Sequence, residues 1–254
     1  MRGAILFFII HWCFLIVSSC GVLYDPDNFN SMEGEYVRLY YQSSESDTEK
    51  YTVLLNLADL AWIEVRNITG LSMDLKPSIV IVKNEDSLPK LSWSNQYAID
   101  ASVHLTDEIL YESKECQMGL FRHELTHVIV GSVYGCSESF ILTEGIAKYV
   151  ESKGEYGNIV MPENRKDILS YLGKTYLEII NNYNISAMEE IGFNVHYMYQ
   201  LAGTFASFWI EYNSIDSYFQ LYKGFHCNDV ADSFYSVTGM KLGEMYEIFL
   251  EYET

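Results

Sequence analysis

From Leu120 to Val130 the chain runs without a proline or a glycine, and apolar residues recur at helical spacing: Leu120, Phe121, Leu125, Val128 and Ile129. The spacing predicts a half-buried helix. On it sits His123-Glu124-Leu125-Thr126-His127, an instance of H-E-x-x-H. Residues four apart on a helix lie about one turn, ~5.4 Å, apart along one face. His123 and His127 can therefore turn their imidazoles toward a single metal ion. Glu124 is rotated about 100° from the first histidine. That puts a carboxylate beside the metal without making it a ligand, as a zinc-activated water requiring a base would need.

Two histidines leave such a centre incomplete, because a catalytic zinc takes three protein ligands and keeps a fourth position for water. Downstream lies Phe140-Ile141-Leu142-Thr143-Glu144-Gly145-Ile146-Ala147-Lys148-Tyr149-Val150-Glu151. Thr143 is the expected N-cap there, with Ile146, Ala147 and Val150 as one apolar face and Glu144 in the first turn. Gly145 leaves room for close packing. Gly131, Gly135 and Ser137-Glu138-Ser139 suffice to end one helix, turn back and begin the next. Glu144 is then either the third ligand or an acid that simply favours a helix N-terminus. Beside H-E-L-T-H the ligand reading leads.

Together, H-E-L-T-H and T-E-G-I-A-K-Y resemble the gluzincin metallopeptidases, most closely the compact group called peptidase MA-like. That group's pattern is H-E-x-T-H, a short loop, then E-G-x-A-x-Y. The resemblance implies an α+β fold: a thermolysin-like (zincin) core with a small mixed sheet, and a mostly helical C-terminal lobe. It implies Zn2+ held by His123, His127 and Glu144, with Glu124 as general base. Many members carry Trp or Pro just before the second motif, where this chain has Phe140 and Leu142. That is a difference of packing. The specific motifs occupy only Leu120–Glu151, although the general likeness extends over most of the chain after the first 30 residues.

The N-terminus reads as a targeting segment. Arg2 precedes an almost wholly apolar run from Ala4 to Val17, which is short for a membrane span and suited to a signal peptide. Residues 1–20 end in Val17-Ser18-Ser19-Cys20, which resembles a bacterial lipobox with Cys20 as the lipidated first mature residue. Ordinary signal cleavage near Ser19 to Gly21 is the alternative. The expectation is a secreted or cell-surface protein, tied to a membrane through a lipid on Cys20 where the lipobox reading holds. Residues 21–254 read as a single catalytic domain, with a sheet-containing lobe to about 135 and a helical lobe after it. Against 35 acidic residues stand 16 Lys and Arg, a formal net charge of −19. That acidity argues against nucleic acid as a partner. Beyond Cys20 the mature thiols are Cys116, Cys136 and Cys227, an odd set. Cys116 and Cys136 flank the metal helix, whose length argues against a bridge across it.

Strands are expected at Glu35–Tyr41, Ser78–Val82 and Ala101–Leu105, and a helix from Tyr51 to Thr69 with Leu54, Leu57, Ala58, Ala61, Trp62 and Val65 on its apolar face. In gluzincins the strand before the metal helix borders the cleft and can pair with an extended substrate, and Ala101–Leu105 is the candidate. His104 on it reads as a half-exposed strand histidine rather than a catalytic one. Asn67 and Asn184 fit glycosylation acceptors, relevant only in a eukaryote. Later helices are expected from Pro162 toward Asn181, after a capping box at Ser186–Glu189, and over Tyr197–Tyr212, Ile215–Tyr222, Asp229–Val237 and Lys241–Tyr252. By the resemblance, a phenol or imidazole from this lobe stabilises the oxyanion. Tyr199 is named for that role, although among 21 tyrosines most serve packing. Aminopeptidases of this kind carry G-x-M-E-N on the edge strand, and nothing like it occurs from Asn95 to Leu105. The implied activity is hydrolysis of a protein or peptide substrate, by an endopeptidase or a processing enzyme of narrow specificity. The rival is a non-catalytic, zinc-containing surface lipoprotein with a binding role, against which the intact Glu124 counts.

Overall fold

The computed structural model describes residues 29–42, 48–83, 102–135, 137, 139–153, 195–224 and 230–253. Among them, those up to Gly135 form one compact unit, and those from Ser137 to Lys153 and from Val195 onward a second. The fold is mixed α+β, mostly helical, with one small mixed sheet. Expectations for residues 1–20, for Cys136, Cys227 and Asn184, and for the segments from Pro162 to Asn181 and Ser186–Glu189 fall outside the described residues.

The first unit holds β1 (Asn30–Glu33), β2 (Arg38–Tyr41), α1 (Thr48–Thr69), β3 (Ser78–Val82), β4 (Ser102–Thr106), a 3-10 turn (Asp107–Tyr111) and α2 (Lys114–Tyr134). The strand order is β1-β2-β3-β4, with β1 antiparallel to β2 and the other pairs parallel. Two parallel neighbours need a crossover, and α1 supplies it between β2 and β3. All five residues of β3 are buried, which fits its unbroken apolar run. The expected face of α1 is buried in full, and Tyr51 from its first turns stacks on Tyr41 of β2 at 4.0 Å between centroids.

The strand expected over Glu35–Tyr41 begins three residues later, and β1, where no strand is expected, precedes it. The cause is Asp59 of α1. Its carboxylate accepts the backbone amides of Glu35, Tyr36 and Val37 at 2.7, 2.8 and 2.8 Å. Amides gathered onto one side chain are not offered to a neighbouring strand, so the segment turns.

Ser113 caps α2, its hydroxyl accepting from the Cys116 amide at 3.3 Å. Gly135 ends the helix at φ 81°, a left-handed conformation that favours glycine. Among the described residues, no helix is long and apolar enough to cross a membrane.

The second unit is helical: α3 (Phe140–Lys153), α4 (Val195–Tyr212), α5 (Ile215–Gly224), α6 (Val230–Thr238) and α7 (Leu242–Glu253). Helix α3 starts before the expected cap. Ser139, not Thr143, accepts the Leu142 amide (3.4 Å), while Thr143 lies inside the helix and donates its hydroxyl to the Ser137 carbonyl (3.3 Å). Burial of Phe140, Ile141 and Leu142 draws them into the helix. Glu144 therefore lies in the second turn. Buried Leu201, Ala202, Phe205, Phe208 and Trp209 form the core of α4. Phe208 meets Phe249 of α7 at 4.8 Å, and Trp209 meets Phe234 of α6 edge-on at 5.5 Å.

Candidate metal centre

Helix α2 carries His123, Glu124 and His127, and the helical period puts the two histidines on one face as the spacing predicts. Their Nε2 atoms are 3.2 Å apart, and the rings stand edge to face at 4.9 Å. At that distance one ring N–H can donate to the other ring nitrogen, and a metal ion between the two nitrogens would hold them equally close. Zn–N bonds of about 2.0–2.1 Å at a tetrahedral angle hold two nitrogens about 3.3 Å apart. The observed pair already has that spacing.

Glu144 of α3 completes the group. One ligand atom from each of His123, His127 and Glu144 lies within 4.8 Å of the others. Two imidazoles and a carboxylate form a borderline-hard donor set that suits zinc. His123 and Glu144 are buried, and His127 is partly so. This buried His-His-Glu group can hold a metal ion. Glu124, next to His123 in the chain, is 3 % exposed.

The other expected residues stand as follows. Tyr199 is buried, and its ring meets Phe140 edge-on at 5.4 Å. That is a packing contact at the start of the Glu144 helix. Among the described strands, β4 lies at the end of the order, hydrogen-bonded to β3 alone, where an edge strand should be. His104 is buried rather than half-exposed. Its Nε2 lies 3.1 Å from the Ser102 hydroxyl, and burial lowers its pKa to about 4. It is thus a neutral core histidine near pH 7. Alternation along β4 would leave it half outside, whereas Val103, His104 and Leu105 are all inside. Cys116 is a free thiol.

Three features around the centre have little or no signature in the sequence. Arg122, between Phe121 and His123, is 0 % exposed and donates from Nη1 to Glu64 of α1 at 2.8 Å. A charged residue inside an apolar helical run is the available signal, since such a residue must find a partner. On α3, four and seven residues beyond Glu144, Lys148 donates from Nζ to both oxygens of Glu151 (2.9 and 2.8 Å). Tyr218 of α5 reaches the backbone of α3, and nothing in the sequence distinguishes it from other tyrosines.

No protein-family model matches this chain, and no curated protein is significantly similar to it. The likeness to gluzincins therefore rests on the two short motifs.

Proposed function

We propose that this chain is a zinc-dependent hydrolase of peptide bonds, with His123, His127 and Glu144 as ligands, Glu124 as general base and a thermolysin-like core. The observation that carries the reading is the 3.2 Å Nε2–Nε2 approach of His123 and His127 with the buried Glu144 carboxylate in the same group. A zinc ion bound there would polarise the scissile carbonyl and lower the pKa of a water to about 7. Glu124 would accept the attacking water's proton on its carboxylate and return it to the leaving amine. The place of Glu124 in H-E-x-x-H, directly after His123, supports this role. Tyr199 is proposed, on resemblance alone, to stabilise the oxyanion. The substrate is taken to be a protein or peptide met outside the cytoplasm. The apolar Ala4–Val17 run and the Val17–Cys20 sequence support export and a lipid on Cys20, which the mass of the mature N-terminus checks.

Two substitutions separate catalysis from metal binding. Glu124→Gln keeps the shape and removes the proton acceptor, so zinc content and thermal midpoint should hold while cleavage of a mixed peptide library falls about 10²–10⁴-fold. Glu144→Gln should lose zinc instead, since a neutral amide oxygen is a poorer ligand. Undiminished cleavage by Glu124→Gln would sink the mechanism. A wild type that holds one zinc and cleaves nothing would favour the binding-protein reading.

A further inference from the structure

Helix α3 presents Glu144 from a turn that a buried tyrosine grips. The Tyr218 hydroxyl donates to the Leu142 carbonyl at 2.8 Å, with the Ile141 carbonyl at 3.5 Å. Leu142 and Ile146 are one ladder step apart, and Glu144 lies midway between them. The room for the hydroxyl comes from Gly145. A Cβ there would stand 2.6 Å from the Tyr218 oxygen, 2.7 Å from the Ala202 carbonyl oxygen and 3.2 Å from the Ala206 Cβ. Two of those neighbours are close enough to force a shift, and one is backbone. The glycine expected from sequence to allow close packing thus does so against two small residues of α4 and one phenol of α5. Burial holds the Tyr218 proton on well above the ordinary phenol range. The nearby Tyr222 and Glu144 add to this, and the Ile146 amide partly opposes it. The group stays an O–H donor at any working pH.

We propose that Tyr218 is a positioning residue for the Glu144 ligand: its hydroxyl, bonded to the Leu142 carbonyl in the cradle left by Gly145, fixes the turn of α3 that aims the carboxylate. A buried donor that reaches a carbonyl inside a helix pins that turn against rotation and slip. Leucine or phenylalanine would fill the same core space without the pin. The inference rests on the metal-centre reading above and adds that ligand geometry depends on a group that touches neither metal nor substrate.

The test uses the full mature chain, zinc titration, and cobalt(II) as a spectroscopic stand-in for zinc. Tyr218→Phe should fold, bind zinc about tenfold more weakly, and change the visible cobalt bands that report ligand geometry. Gly145→Ala, which crowds the same cradle from the α3 side, should do the same. Phe205→Leu, a packing change on α4, should lower the thermal midpoint yet leave the cobalt bands and zinc affinity as in wild type. Wild-type bands and affinity in Tyr218→Phe would overturn the proposal while leaving the ligand set intact. A band shift in Phe205→Leu as large as that in Tyr218→Phe would overturn it too, because packing alone would then explain both. A wild type that takes up neither zinc nor cobalt removes the ligand set, and this proposal with it.

Discussion

A buried neutral histidine makes the stability of this protein depend on pH. Burial holds His104 at a pKa of about 4, against an ordinary value of 6.5. The unfolded chain takes up the proton as pH falls through about 6.5, and the folded chain only near 4. Between those values the unfolded state binds more protons, so stability falls as pH falls. Above the window the contribution is fully present, and below it the loss is complete. Between pH 7.5 and 5 the loss from this one group is about 2 kcal/mol. Urea denaturation of wild type and His104→Gln at both pH values isolates it, because the carboxylates are common to both. The variant should lose about 2 kcal/mol less over that interval. Parallel losses would mean that His104 titrates normally. Asp59 shows a different economy at this scale. One carboxylate satisfies three consecutive amides and so decides where β2 starts.

At the scale of elements, an ion pair ties the helix carrying the histidines to α1. Arg122 has no exposure, and its Nε and Nη2 atoms have no hydrogen-bond partner among the described residues. The Glu64 contact is thus the charge compensation that the structure gives it, from a side chain 22 % exposed. Glu64→Gln should cost about 3 kcal/mol, near the lower end for breaking a buried pair because Glu64 keeps some solvent. Replacing both, as Glu64→Leu with Arg122→Met, should cost much less, since no buried charge is stranded. Chemical denaturation of the two variants and wild type checks the order, and a double variant worse than Glu64→Gln would contradict it. The elements that are plain in the sequence, α1 and β3, signal themselves through period and run: Leu54, Ala58, Ala61 and Val65 on one face, and Ser78–Val82 with no polar interior residue. So does the group of His123, His127 and Glu144, through the four-residue spacing of the histidines and the acid that follows on the next helix. What stays hidden depends on partners far along the chain. Asp59 reaches back more than twenty residues to start β2, Glu64 lies 58 residues from Arg122, and Tyr218 is 76 residues from Leu142. The cap of α3 differs from expectation for a more local reason. Ser139 and Thr143 are both acceptable cap residues, and the burial of Phe140 to Leu142 chooses between them.

For the whole molecule, a bound metal acts as a ligand of the folded state. Any species that binds the native chain and not the unfolded one adds RT ln(1 + [L]/Kd), about 2.7 kcal/mol at a free concentration one hundred times Kd. His123 and His127 come from one helix and Glu144 from the next, so the unfolded chain has no preformed site. Zinc at that excess should raise the thermal midpoint by about 5–10 °C, and a chelator should reverse the rise. The acidity of the chain makes the control essential. With 35 carboxylates against 16 basic side chains, divalent ions will gather on the surface and stabilise it weakly wherever they go. That diffuse effect is screened by salt and shared by magnesium and calcium, whereas imidazole ligation is neither. The measurement is therefore the zinc-dependent shift at about 0.15 M salt with excess magnesium present, in wild type and in a His123→Ala, His127→Ala double variant of the same formal charge. Wild type should keep the shift and the double variant should lose it. Equal shifts in both would assign the stabilisation to surface charge, and the 3.2 Å approach of the two imidazole nitrogens would then be a hydrogen bond between the rings and no more.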